Sequence, residues 1–382
     1  MNSRRRLEAG FTLVEALAAT TIVVLLTAGV LSALNPARGV FKTQPEVADM
    51  QQRLRTGVDA LTRDLLSAGA GPYSGAGTGN LAGYFAPIMP FRRGLDSGMD
   101  DGVGVFKTDA ITIVYVPPTS AQTTVKSDMP TASSQVVIDT EPGCPQDVRT
   151  GLVDPLCGFK ANDTKAAMFD GTGAFDTLTV TSTDEAAQAL GFQQTQQSAL
   201  SKAYPGSASR HLTKIVEISI HVYYLNTATH QLMHYDGFST VTPVLDNVAG
   251  LDFEYYGDPS PPIFARPGKD QKVTYGPSPP AQGVTQAPFA PGENCTWQMS
   301  GEGQVTRLAS LGSAGGGLVR LTASQLTDGP WCPDDFNANR YDADLLRVRR
   351  VRITLRVTSG NDAVPARSVR FDVTPRNLNF GR

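Results

Sequence analysis

Residues 10–37 read GFTLVEALAATTIVVLLTAGVLSALNPA, and positions 16–37 carry no charged side chain. At about 1.5 Å per residue that uncharged run spans roughly 33 Å as a helix, enough to cross a hydrocarbon core of about 30 Å. Arg4, Arg5 and Arg6 lie just ahead of it. Cations on that flank hold the leader in the cytoplasm, so everything after the helix is expected on the far side of the membrane. A secretory signal carries its small-residue cleavage site after the apolar run. Here the polar-to-apolar junction, Ala9-Gly10-Phe11, comes first, so a cut there leaves the helix on the product. Glu15 is the misfit, because an ionised carboxylate near mid-bilayer costs about 3 kcal/mol. Cleavage after Gly10 would free an α-amino group on Phe11, a cation able to neutralise Glu15 of a neighbouring copy. The plainer alternative is a simple anchor with Glu15 at headgroup level.

Beyond the apolar run, Val47, Met50, Leu54, Val58, Leu61 and Leu65 recur at helical spacing. Asp49, Gln52, Arg53, Asp59, Arg63 and Asp64 mostly occupy the rest of the helix surface. The helix therefore continues over 38–69, with Gly69 as its C-cap and Pro36 and Pro45 expected to kink or interrupt it. The glycine-rich run to Gly83 superficially matches a dinucleotide fingerprint at Gly77-Thr78-Gly79-Asn80-Leu81-Ala82, but no strand precedes it and no helix pattern follows, so it reads as loop. Downstream the period changes to 2. Residues 110–116, 177–181, 215–225, 231–235, 251–256, 351–357 and 369–373 read as strands, with Asn226-Thr227-Ala228-Thr229 as a hairpin connection. No crossover-length helices alternate with them, so the sheet is antiparallel and the class α+β, with the long helix burying its stripe on one sheet face. Two stretches read as inserted surface loop: about 117–212, rich in Ser, Thr, Gln and Gly, and about 257–300, proline-rich with nine prolines in 257–291.

Composition excludes several classes. Charged residues are 18% and hydrophobic residues 41% of the 382, which argues against wholesale disorder and against a polytopic membrane protein. The formal charge of −3 is too balanced for a general nucleic-acid binder.

Gly10-Phe11-Thr12-Leu13-Val14-Glu15 followed by an apolar helix resembles the prepilin processing motif of type IV pilins and type II secretion pseudopilins. The resemblance implies residues 1–10 as a leader peptide, cleavage between Gly10 and Phe11 by a prepilin peptidase, N-methylation of Phe11, and a Glu15 that guides subunit docking. It implies a transmembrane helix over 11–37 and an exported β-rich head over 70–382. Shorter matches extend further, at Leu61-Thr62-Arg63-Asp64-Leu65-Leu66-Ser67-Ala68-Gly69, Thr108-Asp109-Ala110-Ile111-Thr112-Ile113, Asn247-Val248-Ala249-Gly250-Leu251-Asp252-Phe253-Glu254-Tyr255, Val348-Arg349-Arg350-Val351-Arg352-Ile353 and Arg376-Asn377. Together they look like a PilW-like minor pilin, with J-type pseudopilins close behind. Such a subunit is not an enzyme and takes no cofactor. Its implied partners are the prepilin peptidase, other major and minor pilins, the inner-membrane assembly platform and the membrane itself. It would sit in the inner membrane before assembly and in a cell-surface pilus afterwards; the alternative is a pseudopilin of a secretion or DNA-uptake machine.

No catalytic constellation stands out. Of His211, His221, His230 and His234, the last two have a helical metal spacing but fall in an expected strand, where i and i+4 are roughly 13 Å apart, so no zinc site is expected from them. In an exported chain, Cys144, Cys157, Cys295 and Cys332 form two disulfides. Three connectivities exist, and the neighbour pairing Cys144–Cys157 and Cys295–Cys332 is favoured because each pair brackets a turn-rich loop. Asp335, Asn337 and Asn339, followed by Asp342 and Asp344, offer oxygen ligands at alternating positions as calcium loops do. Arg340 replaces the turn glycine and Leu346 the bidentate glutamate, so a polar turn is the stronger reading. From 345 to 382, nine Arg against Asp362 and Asp372 leave a local charge of 9 − 2 = +7. That stripe has the charge to touch nucleic-acid phosphates, but no aromatic side chains interleave with it, which favours an ion-paired face.

Overall fold

Thr12 starts the long helix, α1, from extended backbone. Its hydroxyl accepts the Glu15 N–H at 3.3 Å while Glu15 Oε2 accepts the Thr12 N–H at 3.2 Å, a reciprocal capping box. α1 then runs Leu13–Ser67, 55 residues, roughly 80 Å long. The computed structural model describes residues 11–378 except 72–80, 84, 94–100, 103, 119–120, 141–142, 148, 170–174, 195–199, 201, 208–212, 239, 264–265, 268–288, 314, 334–339 and 360–363, and the backbone alone over 33–42. Of the expected kink or interruption, the interruption does not occur: helical backbone passes through both Pro36 and Pro45. A prolyl ring removes one hydrogen bond from the ladder, and flanking turns carry the helix across that gap.

The two ends of α1 differ in burial. Leu13–Ser32 has a mean hydropathy of 2.1 and is wholly exposed, whereas Met50, Leu61, Leu65 and Ala68 are completely buried. At the crossing point a Cβ on Gly57 would lie 2.8 Å from Leu355 Cδ2 and 3.2 Å from Leu245 Cδ1, so the absent side chain lets the helix approach the sheets. Ala68 is the C-cap, one residue earlier than expected, and Gly69 follows at φ +75°. There a Cβ would come 2.5 Å from Leu378 Cδ2, beside the Asn377 amide that donates to the Ser67 carbonyl.

All the strand pairings are antiparallel among the described residues. A five-stranded sheet runs in the order Ile88–Met89, Ala110–Tyr115, Ser219–Asn226, Gln231–Tyr235, Val241–Leu245. A four-stranded sheet follows the order Val319–Leu321, Val248–Gly257, Val348–Val357, Arg367–Val373. In its central strand Val351, Ile353, Leu355 and Val357 are all fully buried, the period-2 face that the sequence displays. These two sheets and α1 share one apolar core. The class is therefore α+β, dominated by sheet.

The stretch 117–212 departs from the expectation of surface loop. With the strand that follows it, it forms a six-stranded sheet in the order Gln122–Thr124, Lys214–Glu217, Lys165–Phe169, Phe175–Asp184, Ala189–Gln194, Gln135–Val137. Val136, Ile138, Met168, Leu178, Leu190 and Ile215 close a second core of their own. The polar composition misleads because Thr and Gln occupy strand positions: Thr123, Thr177 and Gln122 are themselves buried. Threonine is β-branched and favours pleated backbone whatever its polarity. In the proline-rich stretch, Trp297–Ser300 pairs with Gly303–Thr306 as a hairpin, while 268–288 lies outside the described residues.

Candidate functional site

At the N-terminus Gly10 lies outside the described residues; Phe11 is 82% exposed and precedes the capping box. Glu15 Oε2 accepts from both the Thr12 N–H and the Thr12 hydroxyl, so the carboxylate has an intrachain role besides the docking role that the motif implies. Leu13–Ser32 is long and apolar enough to cross a membrane. Leu13, Val14, Leu17, Ile22, Val23 and Leu26 are among its exposed side chains.

Cys144 is bonded to Cys157 within the second core, and Cys295 to Cys332 within the first. The C-terminal arginines meet acidic partners. Arg352 binds Asp372 through two nitrogens at 2.6 and 3.0 Å, and Arg370 and Arg320 both reach Glu254, at 2.7 and 2.9 Å. Arg350 and Arg352 also lie over the Tyr256 ring, 4.4 and 5.0 Å from its centroid. The aromatic partner that the stripe itself lacks comes from the neighbouring strand, in register with it.

Of the calcium candidates, Asp335, Asn337 and Asn339 lie outside the described residues, as does His211. Asp342 and Asp344 are buried. Asp342 accepts the backbone N–H of Gly329 at 2.6 Å and of Asp344 at 2.8 Å, as the N-cap of a short helical turn, and Asp344 pairs with the fully buried Arg347. Burial, the largest influence, pushes the Asp342 carboxyl up to about 7 and the Asp344 carboxyl up to about 6. Asp328, exposed, completes an acidic group there.

A different cluster stands where α1 meets the five-stranded sheet. Asp64 is 2% exposed, although it is one of the polar residues that mostly lie off the apolar face of the helix. Its Oδ2 accepts the Tyr223 hydroxyl at 2.6 Å, and its Oδ1 lies 3.4 Å from the Tyr115 hydroxyl. Tyr115 Oη is also 3.1 Å from His221 Nε2, and His221 Nδ1 lies 2.7 Å from His234 Nε2 and 3.5 Å from Asp64 Oδ2. Arg63 reaches Asp64 only at 3.6 Å with a side chain 78% exposed. Burial lowers the proton affinity of both imidazoles against the opposing pull of Asp64. Burial and the Asp64 charge together raise both tyrosine hydroxyls, which are therefore donors at neutral pH.

The strand hairpin explains how the histidines meet. His234 stands opposite Tyr223 across the ladder, and His221 lies two residues before Tyr223 on the same side of its strand. His230, by contrast, is exposed in the turn at φ +52°. The i, i+4 spacing thus singles out the wrong partner for His234. A signal for Asp64 does exist in the sequence, since it lies three residues after Leu61 and four before Ala68, inside the buried arc.

Comparison with protein-family models, with curated proteins and with solved structures gives no match to this chain.

Proposed function

We propose that the chain is a minor pilin, a non-enzymatic structural subunit that takes part in type IV pilus assembly after its leader is removed between Gly10 and Phe11. The observation that carries the reading is the division of α1. Gly10-Phe11-Thr12-Leu13-Val14-Glu15 leads into a wholly exposed apolar segment, and the same uninterrupted helix then buries its second half against antiparallel sheets. An exposed apolar helix of this length needs lipid or other helices around it, and both surroundings are met by a subunit that moves from membrane to fibre. In the membrane Glu15 Oε2 is engaged by Thr12; in the fibre the methylated amine of Phe11 on an adjacent subunit neutralises the carboxylate. The disulfides suit an exported head. The two cores give that head an extra sheet for contacts with neighbouring subunits.

The test is the mass and N-terminal sequence of the mature protein. The expected product begins at N-methylated Phe11 and has 382 − 10 = 372 residues. An intact Met1, or a cut beyond residue 30, overturns the proposal. Glu15→Gln in the native host should still be processed and should lower pilus number. Loss of protein secretion with normal pili would point to a pseudopilus instead.

A further inference from the structure

We propose that Asp64, His221 and His234 form a binding site for one Zn²⁺ ion at the junction of α1 with the five-stranded sheet. Asp64 comes from α1 and the two histidines from adjacent strands of a hairpin more than 150 residues further along, and the three ligand atoms all lie within 4.8 Å of one another. Two imidazole nitrogens and a carboxylate oxygen are the donor set of open tetrahedral zinc sites, with the fourth position left to water. Calcium and magnesium are disfavoured, because they select oxygen ligands and only one of these three side chains supplies oxygen.

The electrostatics favour a cation. Asp64 is buried, and the cation nearest to it, Arg63, touches only Oδ1 from an exposed position. The outer shell is already in place. Tyr223 donates to Asp64 Oδ2, and Tyr115 Oη stands at the far nitrogen of His221, where it accepts the N–H when Nδ1 binds metal. Neither imidazole has to change its net charge, but the nitrogen that now supplies the hydrogen of the 2.7 Å contact gives it up, and that ring takes the tautomer with its hydrogen on the far nitrogen. Asp64 is closed off from solvent, whereas both histidines are half-buried, so the ion enters past their ring edges.

Bonds of about 2.0–2.1 Å at tetrahedral angles place donor atoms roughly 3.3 Å apart. His221 Nδ1 and Asp64 Oδ2 are already 3.5 Å apart. His221 Nδ1 and His234 Nε2, now hydrogen-bonded at 2.7 Å, must open by about 0.6 Å on this arithmetic. The ring planes differ by 14°, and turning the two imidazoles directs both lone pairs to one point.

The experiment is zinc binding to the full-length protein in detergent, after chelator treatment, followed by calorimetry and by X-ray absorption at the zinc edge. The expected result is one equivalent per chain, an all nitrogen and oxygen shell containing two imidazoles, and no binding of Ca²⁺ to this site. His234→Gln should weaken zinc binding by at least about a hundredfold, and Tyr223→Phe by about tenfold. His230→Gln, in the exposed turn, should leave it unchanged. Failure of the wild type to bind at micromolar zinc overturns the proposal. Equal binding by wild type and a folded His234→Gln, or a shell without imidazole, overturns it as well.

Discussion

Replacing Tyr223 by Phe removes one oxygen from a buried site and nothing else. The hydroxyl donates to Asp64 Oδ2 at 2.6 Å, and both residues are almost completely enclosed. Hydrogen bonds to charged groups contribute about 1.5–3 kcal/mol, and the short length and deep burial place this one in the upper half of that range. Tyr223→Phe should therefore lose about 2–3 kcal/mol. Tyr115→Phe removes a 3.4 Å contact to Asp64 and a 3.1 Å contact to His221 from a half-buried hydroxyl, so about 1 kcal/mol is expected. The assay is equilibrium denaturation of the full chain in detergent with chelator present, so that no metal contributes. A double-mutant cycle isolates the pair: in an Asp64→Leu background, where no carboxylate remains, Tyr223→Phe should be close to neutral. Equal losses for the two tyrosine variants, or an undiminished cost of Tyr223→Phe in the Asp64→Leu background, would refute the account of Asp64 as the buried acceptor that joins helix to sheet.

The Asp342 carboxyl, raised by burial to about 7 from an ordinary 3.8, keeps its proton in the fold where the unfolded chain has lost it; its contribution is complete below pH 3.8 and disappears as pH rises through 7. Relative to Asp342→Asn, wild-type stability measured by denaturant midpoint should thus fall by roughly 2–3 kcal/mol between pH 5 and pH 8, and a pH-independent difference would contradict it. Joint replacement of Cys144 and Cys157 by Ser opens a loop with a sequence separation of 13 and should cost about 3 kcal/mol, seen as lost hydrogen-exchange protection in Lys165–Phe169 with α1 unaffected.

Local periodicity makes much of the first core legible. The 3.6 pattern through Leu61 and Leu65 and the alternation Val351, Ile353, Leu355, Val357 each report one buried face, and burial follows those patterns. The six-stranded sheet is legible only at 177–181 and 215–217, which read as strand and lie in Phe175–Asp184 and Lys214–Glu217. Its other strands are mostly short, and buried Thr and Gln sit where an apolar residue would signal a core, so cross-strand pairing is what reveals them. The ion-paired face of the C-terminal strand is half legible: its arginines are plain in the sequence, but Glu254 and Tyr256 come from a strand about a hundred residues away.

By itself, the sequence determined the apolar helix, its amphipathic continuation, the antiparallel character of the strands and the presence of four cysteines, because each of these depends on residues close together in the chain. Only the tertiary structure decided that Asp64 turns inward, that His221 rather than His230 meets His234, and which oxygen accepts the Tyr223 hydroxyl. Those contacts join residue 64 to residues 221, 223 and 234, and chain separations of that size are closed by packing α1 onto a folded hairpin, which no local propensity encodes.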